Sequence, residues 1–239
     1  MSMNSGRKIQ DFIKELILRY QTHPIFAFLH IRYLETILYA RLYHIQLSNY
    51  DKTHYLASVD GVRLFVNKHS GIGLIREVFC DQVYGKLSGD VGGKTIVDVG
   101  AFIGDTAIYF SKKGAKEIYA FEPNKESFEL AKQNLDQNKI ENVHLYNYGI
   151  TDNFTEILER LQKIDLLKMD CEGCEYAAIL STPKNILLTI DKIILEYHKE
   201  PDSLIKRLED TGFKTQLQKA GFQTNGQPMG YIIAENPNH

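Results

Sequence analysis

The sequence predicts an α/β protein: a doubly wound, mostly parallel sheet with a C-terminal antiparallel hairpin, preceded by an N-terminal helical segment and a small β hairpin. From residue 95 onward, short apolar segments alternate with segments of helical periodicity five times in succession. Such alternation is typical of parallel sheets that helices cover on both faces. Two late apolar segments, at 213–217 and 231–234, follow without a helix between them. They lie too close for a parallel crossover, so we expect them to pair as a hairpin.

The first 55 residues have helical periodicity. Pro24 suits the first turn of a helix that we expect to run to about Leu47 and that carries several aromatic rings. These rings favour packing onto the main domain, and a lid or a dimer face is the alternative. A membrane-surface helix is disfavoured because the polar face is not strongly basic. An earlier predicted helix has its apolar face at Ile9, Phe12, Ile13, Leu16, Ile17 and Tyr20.

A hairpin and a short helix are predicted between these helices and the alternating region. An Asp-Gly pair at 60–61 is a turn signal between two apolar runs, which predicts a hairpin over residues 55–67. Residues 71–87 are expected to form a short helix and a connector, and the glycine-rich segment after them a joint. We therefore divide the chain into residues 1–90, which would make lid, substrate or dimer contacts, and residues 91–239, a catalytic domain.

The alternating region supplies the individual elements of the main sheet. Apolar segments predict strands at residues 95–99, 117–121, 143–148, 165–169 and 192–197. Amphipathic segments predict helices at residues 106–113, 124–137, 155–162, 175–180 and 203–210. Asp105 or Thr106 is expected to cap the first of these helices and Asn124 the second, while Gly212 should end the last.

The composition is that of an ordinary globular protein. Hydrophobic residues make up 44% and charged residues 24% of the chain, which excludes a disordered, collagen-like or coiled-coil protein. The formal net charge is −2, and this lack of a basic excess argues against DNA and disfavours RNA as a partner. No apolar run approaches the ~18 uncharged residues of a membrane span, and the first residues lack the apolar core of a signal peptide. Three cysteines are too few for a disulfide framework, so we expect a cytoplasmic protein in a reducing compartment, with no membrane partner.

The turn after the first predicted strand is the place where sheets of this class bind ligands. It reads Val97-Asp98-Val99-Gly100-Ala101-Phe102-Ile103-Gly104-Asp105-Thr106. Its two glycines are four residues apart, unlike the G-x-G-x-x-G pattern that places a pyrophosphate on a helix N-terminus. The carboxylate of Asp98 would repel a phosphate and attract a cation.

A second carboxylate follows the second predicted strand. Glu122 lies 22 residues after Gly100, where a carboxylate in such folds accepts hydrogen bonds from both ribose hydroxyls. Pro123 stiffens the turn and keeps Glu122 at the tip of its strand. Helix capping is the alternative role for Asp98 and Glu122. Their combination with the glycine spacing favours a nucleoside site.

These segments resemble a known class of enzyme. Residues 97–106, together with Phe121-Glu122-Pro123, resemble the cofactor site of class I S-adenosylmethionine-dependent methyltransferases. Residues 164–175, IDLLKMDCEGCE, are similar to the I-D-x-x-K-x-D-x-E-G-x-E block of the FkbM family, which mostly methylates hydroxyl oxygens on sugars and natural products. Residues 193–198, IILEYH, also resemble that family. The resemblance extends over about residues 94–200.

The resemblance implies the class I methyltransferase fold and S-adenosylmethionine as the cofactor. Gly100 and Gly104 would border the methionine part of the cofactor, with Asp98 helping to hold it, and Glu122 would bind ribose. The segment after the third strand would lie against adenine, although its first acidic residue is Asp152, later than in many relatives. The implied cofactor contacts are Asp98, Gly100, Ala101, Phe102, Gly104, Asp105, Thr106, Glu122, Pro123, Gly149, Ile150 and Asp170.

Methylation of an oxygen needs a base or a metal, because an alcohol is a weak nucleophile until its proton is removed. Asp170 ends the fourth predicted strand and Glu172 follows it, so we expect both to flank the sulfonium and the acceptor. His198 is a candidate general base and Glu172 is the other, while a hydrogen-bonded core histidine is the alternative for His198. Glu175 is expected at a helix N-terminus. Clustered carboxylates with a histidine can also bind Mg²⁺, but we predict no metal.

Two sequence patterns bear on competing functions. Cys171 and Cys174 form a C-x-x-C pattern, but zinc usually needs four ligands and neighbouring carboxylates raise a thiol pKa, so we expect neither a zinc site nor a redox role. The N/D-P-P-Y/F tetrad of enzymes that methylate base amines is absent. We therefore predict a methyltransferase that acts on a hydroxyl of a sugar or small metabolite, with a homodimer as an option. The alternatives are an RNA methyltransferase, a nicotinamide-dependent oxidoreductase and a non-catalytic module that keeps the nucleoside pocket.

Overall fold

The computed structural model describes residues 38–68, 71–150, 154–222 and 226–238. The chain separates into two compact units, residues 1–46 and residues 47–239. The predicted helix over residues 9–20 and most of the one that starts at Pro24 lie outside the described residues. The division at residue 90 stays a prediction.

The helix predicted to reach Leu47 ends earlier. Residues 38–42 are helical, and a strand, β1, occupies Gln46–Asn49. The prediction of helix up to residue 55 is therefore wrong beyond residue 42. His44, with φ of +55°, adopts a left-handed conformation that interrupts the helix and that periodicity alone cannot reveal.

A small antiparallel sheet follows, in the order β1-β2-β3. Strand β2 (His54–Val59) pairs with β3 (Val62–Asn67), and Val59 lies opposite Val62. The two turn residues, Asp60 and Gly61, both have positive φ, as a tight hairpin turn requires. The predicted hairpin is confirmed.

Short helical segments lead from the small sheet to the main one. Helix α1 (Gly71–Ile75) runs into a π-helical turn (Arg76–Cys80), and helix α2 (Val83–Ser88) follows. This confirms the predicted short helix and connector. The segment matters for function because Tyr84, Glu77 and Val78 line a cavity of the main domain.

The main sheet has seven strands in the order β6-β5-β4-β7-β8-β10-β9. The first five of these strands are mutually parallel, while β10 is antiparallel to both β8 and β9. The predicted fold class is confirmed, including the C-terminal hairpin. The strands are β4 (Thr95–Val99), β5 (Glu117–Phe121), β6 (Val143–Tyr146), β7 (Ile164–Met169), β8 (Ile190–Tyr197), β9 (Lys214–Phe222) and β10 (Pro228–Glu235). The helices are α3 (Asp105–Lys112), α4 (Lys125–Gln137), α5 (Phe154–Leu161), α6 (Cys174–Ser181), α7 (Lys184–Leu187) and α8 (Asp202–Thr211).

The sheet order creates a crevice beside β4. Strand β4 pairs with β5 on one side and with β7 on the other, because the chain adds β5 and β6 on one side and then crosses back to place β7 on the other. Ligands bind outside the carboxyl ends of strands at such a point. The turn at Gly100 and the segment after Met169 both begin there.

Two of the three helix caps predicted from the sequence are confirmed by the structure. The side chain of Asn124 accepts a hydrogen bond from the amide of Ser127 at the start of α4, and Gly212 ends α8 in a left-handed conformation. Neither Asp105 nor Thr106 caps α3, because Gly104 occupies the N-cap position and the Thr106 hydroxyl donates to Asp98 at 2.6 Å instead. That prediction is wrong.

The core lies between the sheet and its helices. The central strands contribute fully buried side chains on both faces, as parallel strands covered by helices do. Fully buried examples in these strands are Ile96, Val97, Ile118, Leu166, Leu167, Ile193 and Ile194.

Within the described residues, no helix combines the length and apolar character needed to cross a membrane.

Two asparagines of α4 fasten the small sheet to the main domain. The Asn134 side chain accepts from the Phe65 amide at 2.7 Å and donates to the carbonyls of Phe65 and Ile103. Asn138 accepts from the Arg63 amide and donates to the Arg63 carbonyl in the same way. Both asparagines are buried. Their side-chain carboxamides thus form hydrogen bonds with the backbone of β3 in the way that a neighbouring strand would.

Substituting Asn134 with alanine should destabilise the protein. The change removes three hydrogen bonds and leaves buried backbone groups of Phe65 and Ile103 without partners, so we expect a loss of about 2–4 kcal/mol. Urea unfolding of Asn134→Ala measures this loss. The neighbouring Gln133→Ala is the control, because Gln133 is exposed on the same helix and should change the free energy of unfolding by less than ~0.5 kcal/mol. Equal effects of the two substitutions would contradict the anchoring role of Asn134.

Candidate active site

A cavity of about 500 Å³ opens at the carboxyl ends of β4, β5 and β7. Its wall includes eight of the residues that the sequence predicts for the site. Tyr84 and Lys168 are among the wall residues that the sequence did not predict. The eight are Gly100, Phe102, Asp105, Thr106, Glu122, Pro123, Asp170 and Glu172.

The glycine turn packs directly on the segment after β7. Gly100 has φ of +78°, and a Cβ there would overlap the carbonyl oxygen of Asp170. The amides of Gly100 and Ala101 both donate to the carbonyl of Phe121. Only glycine therefore fits at position 100, and the close packing sets the distance between the turn and Asp170.

Asp98 lies beneath the cavity, where it is fully buried. Its carboxylate is 3.1 Å from the ammonium of Lys168 and accepts a hydrogen bond from the Thr106 hydroxyl. Although the sequence predicts Asp98 as a cofactor contact, any contribution it makes to binding must pass through Lys168 and Thr106, which do reach the cavity wall.

Lys168 is the site residue that sequence reasoning missed. Its ammonium is buried, bonds to Asp98 and donates to the Gly100 carbonyl at 2.9 Å. Burial alone would lower the pKa of Lys168, but the nearby carboxylates of Asp98, Asp170 and Asp105 raise it above its ordinary value. The sequence observation that could have identified it as a site residue is that it is a single lysine inside the apolar strand β7.

Glu122 is held in place by backbone amides. One oxygen accepts from Phe102 at 2.9 Å and the other from Asn124 at 2.8 Å. Phe102 has φ of +45°, which turns its amide toward Glu122 and leaves its ring at the surface. Burial raises the pKa of Glu122. Each carboxylate oxygen can accept a second hydrogen bond, so Glu122 retains capacity for a ligand.

The predicted adenine segment divides between core and surface. Ile150 is buried in the hydrophobic core, and Gly149 packs against Pro123. The rings of Tyr146 and Tyr148 are exposed and pack against each other and against Phe121. These two tyrosines offer the aromatic surface of the segment.

Asp105 is buried at the start of α3 and lines the cavity. Burial raises its pKa to about 7, and the repulsion of Asp98 adds to this while Lys168 opposes it. A carboxyl group in this state ionises readily when a cation binds beside it.

A cluster of acidic side chains forms the other end of the site. Asp170, predicted as catalytic, accepts a hydrogen bond from Tyr84 at 3.1 Å. The same hydroxyl lies 3.4 Å from Glu196. Burial, followed by the charge of Asp170, raises the pKa of Glu196 to about 9. The protonated form of Glu196 is therefore favoured beside the charge of Asp170. Behind it, Tyr231 donates to Glu77 at 2.8 Å.

His198 lies among these carboxylates. Its Nε2 is 3.8 Å from Asp170 and 3.6 Å from Glu172, and its Nδ1 is 3.9 Å from Glu175. Glu172 reaches solvent, since its side chain is 82% exposed. The structure thus brings Asp170, Glu172 and His198 together, as the sequence predicts. Glu175 lies in the first turn of α6 and accepts from the Cys171 amide, also as predicted.

Cys171 and Cys174 form a disulfide in the structure, with their Cα atoms 5.5 Å apart. This differs from the expectation of cysteines in a reducing compartment, where they would stay unpaired. Glu172 and Gly173, between them, both have positive φ, and this tight turn brings the two sulfurs together. Cys171 lines the cavity, so the disulfide restrains the segment that carries Asp170 and Glu172.

The fold and this site together define a class I methyltransferase. Residues 79–231 match the model of a family described as a methyltransferase domain, Methyltransf_22. Because that match covers well over half of the chain, the protein belongs to this family.

Curated relatives match over short stretches. The ribosomal protein L11 methyltransferase of Streptococcus thermophilus is 42% identical over 55 residues, which is 23% of this chain and 17% of that protein. Uncharacterized protein 158B of Sulfolobus islandicus rod-shaped virus 1 is 34% identical over 96 residues, which is 38% of this chain and 54% of that protein. The chain therefore matches about half, or less, of the length of these relatives.

Solved structures share the fold at low sequence identity. A Streptococcus mutans protein assigned to the SAM-dependent methyltransferases has a TM-score of 0.56 at 15% identity, covering 78% of this chain and 57% of that one. Another methyltransferase-like structure, with a TM-score of 0.56 at 16% identity and coverage of 78% and 57%, contains S-adenosylhomocysteine (SAH). The precorrin 8w decarboxylase of Methanobacterium thermoautotrophicum has a TM-score of 0.52 at 19% identity, covering 65% of this chain and 88% of that one. These likenesses describe the fold alone.

Removing the charge of Lys168 should lower the free energy of unfolding. Lys168→Met leaves Asp98 buried without its cation, so we expect a loss of about 3–5 kcal/mol in the free energy of unfolding. Lys163→Met is the matched control, because Lys163 is an exposed lysine of the same region with ion pairs to Asp165 and Asp191. It should cost less than ~1 kcal/mol. Urea unfolding compares the two, and similar losses would contradict the role assigned to the buried pair.

Proposed function

We propose that the protein transfers the methyl group of S-adenosylmethionine (SAM) to a hydroxyl oxygen of a sugar or another small metabolite. The family match and the fold support a SAM-dependent methyltransferase. One observation supports the detailed proposal most directly: Glu122 and Asp170 face a single cavity from opposite sides of the Gly100 turn. A nucleoside and an acceptor could therefore meet there.

The acidic chemistry of the wall suits this cofactor. SAM supplies a methyl group on a positively charged sulfur, and it also carries an ammonium group. Glu122 would accept hydrogen bonds from the ribose hydroxyls, and Asp105 would face the ammonium group. The turn at Gly100 and Phe102 would border the methionine part, with Tyr148 beside adenine. Carboxylates favour such a cation over the pyrophosphate of a nicotinamide cofactor.

The acceptor hydroxyl would bind near Asp170, Glu172 and His198. Its proton would pass to a neighbouring base as its oxygen attacks the methyl carbon. SAM would supply that methyl group, and cleavage of the carbon–sulfur bond as the oxygen–carbon bond forms would leave an uncharged thioether sulfur in SAH. Glu172 and His198 are the candidate bases, and Nε2 of His198 lies 3.8 Å from Asp170 and 3.6 Å from Glu172.

The FkbM family supplies the finer assignment that we propose. Lys168, Asp170, Glu172 and Glu175 occupy the positions of its K-x-D-x-E-G-x-E block. Lys168 joins the block to the glycine turn, and Glu175 bonds to the backbone of Cys171. These contacts give the patterned residues a joint structural role and so support the assignment.

The remaining expectations stay proposals. We propose that residues before 90 select the acceptor, because Glu77, Val78 and Tyr84 reach the cavity wall. We retain a small-molecule partner and a cytoplasmic location, with a dimer as an option, and we propose no nucleic acid partner. RNA methylation is disfavoured by the formal net charge of −2.

Glu122 should control cofactor affinity. Replacing it with alanine removes a charged acceptor of ribose hydrogen bonds, so SAH binding should weaken by about 1–3 kcal/mol, or roughly 5- to 150-fold. Calorimetric titration of the full chain with SAH measures this. Glu126→Ala is the control, because Glu126 is an exposed glutamate in the first turn of α4, the helix that follows Glu122. Unchanged affinity in Glu122→Ala, or tight NAD binding without SAH binding, would contradict the proposal.

Asp105 should release a proton when SAH binds. At pH 7 its carboxyl is about half protonated, because its pKa is raised to about 7. The ammonium group of SAH would lower that pKa, so wild type should release more protons than Asp105→Asn at pH 7 and the same number at pH 9. Calorimetry in phosphate and in Tris measures the protons released. Equal release by both proteins at pH 7 would remove Asp105 from the cofactor site.

A further inference from the structure

We propose that Asp170, Glu196 and His198 bind a divalent cation that holds the acceptor oxygen during methyl transfer. This inference rests on the proposed function, since it assigns a cofactor to the acceptor half of the same site. It differs from the expectation drawn from the sequence, which predicted no metal.

The first support is geometric. One ligand atom from each of the three side chains lies within 4.8 Å of the others. Asp170 follows β7, Glu196 lies near the end of its parallel neighbour β8, and His198 directly follows β8. A divalent cation binds oxygen and imidazole ligands at about 2.0–2.3 Å. Small side-chain rotations would bring all three ligand atoms to that distance around one ion.

The second support is a buried carboxylate behind the histidine. Glu175 is fully buried, and its Oε2 has no hydrogen-bond partner among the described residues. Its other oxygen lies 3.9 Å from Nδ1 of His198, while Nε2 of His198 faces Asp170. Metal-binding histidines commonly donate their second N–H to a carboxylate, which fixes the ring and its tautomer. Glu175 lies where that outer carboxylate would be.

The third support is the balance of charge. Asp170, Glu175 and Glu196 converge with little positive charge to offset them, because the neighbouring Lys168 is already paired with Asp98. A divalent cation would offset the charge of these carboxylates, and Tyr84, which contacts both Asp170 and Glu196, would remain as a donor behind it.

A metal at this position decides between the two candidate bases. His198 would be a ligand and unable to accept a proton through Nε2. Glu172, exposed at the rim and 3.6 Å from that nitrogen, would then take the proton of the acceptor hydroxyl. The cation would lower the pKa of this hydroxyl by binding its oxygen. The cation itself is not oxidised or reduced, so the methyl transfer needs no further reactant.

Titration of the full chain with Mn²⁺ tests the site. Two carboxylates and one imidazole suit Mn²⁺, and electron paramagnetic resonance measures the free ion directly. We expect one Mn²⁺ per chain at micromolar concentration. Glu196→Gln and His198→Asn should each weaken binding at least ~10-fold, and Glu175→Gln should weaken it by a similar factor if it orients His198. Glu200→Gln, an exposed glutamate of the same segment, should leave the affinity unchanged.

Parallel measurements keep the test decisive. Circular dichroism melting shows whether each variant is folded, and calorimetry with SAH reports on the cofactor end of the cavity. If wild type binds SAH but no Mn²⁺ below millimolar concentration, the cation site is wrong and the proposed function stands. If Mn²⁺ binds but SAH does not, the proposed function fails. Mn²⁺ binding that is equal in wild type, Glu196→Gln and His198→Asn would also overturn the assignment.

Discussion

The buried ion pair between Asp98 and Lys168 is the constraint on which the site depends. The two residues are register partners on the adjacent strands β4 and β7. A buried pair is stable only when its remaining polar atoms are satisfied, and here Thr106 bonds to Asp98 while the carbonyl of Gly100 accepts from Lys168. The pair therefore holds together the first turn of α3, the glycine turn and the end of β7. The cofactor end and the acceptor end of the cavity meet at this point.

The same pair explains why the cavity stays acidic. Lys168 would otherwise be the counter-ion of Asp170, but it is paired with the carboxylate of Asp98, which is buried beneath the cavity. Burial raises the pKa of Asp105 and of Glu196, and the charge of Asp170 adds to the shift of Glu196. A cation that binds in this cavity gains more electrostatic stabilisation than it would in a neutral cleft. The sulfonium of the cofactor and the proposed metal ion would both offset this negative charge.

Much of the fold was predictable because periodicity is local. The alternation after residue 95, the Asp60-Gly61 turn and the cap at Asn124 all lie within a few residues of the structure they specify. The partner of Lys168 and the contact between Gly100 and Asp170 involve residues 68 or more positions apart, so a single sequence contains no direct signal for them. The Cys171–Cys174 bridge was missed for another reason: the spacing was visible, but the left-handed conformation of Glu172 that closes it was not.

The amide of Asn134 links two parts of the molecule that appear unrelated along the chain. It bonds to the backbone of β3 and also to the carbonyl of Ile103 within the glycine turn. A fragment of this protein that began at β4 would still contain all seven strands of the main sheet. It would nevertheless lose the strand that keeps Asn134 oriented and, with it, a donor to the turn. Any minimal fragment intended to retain the pocket should therefore start upstream of β2.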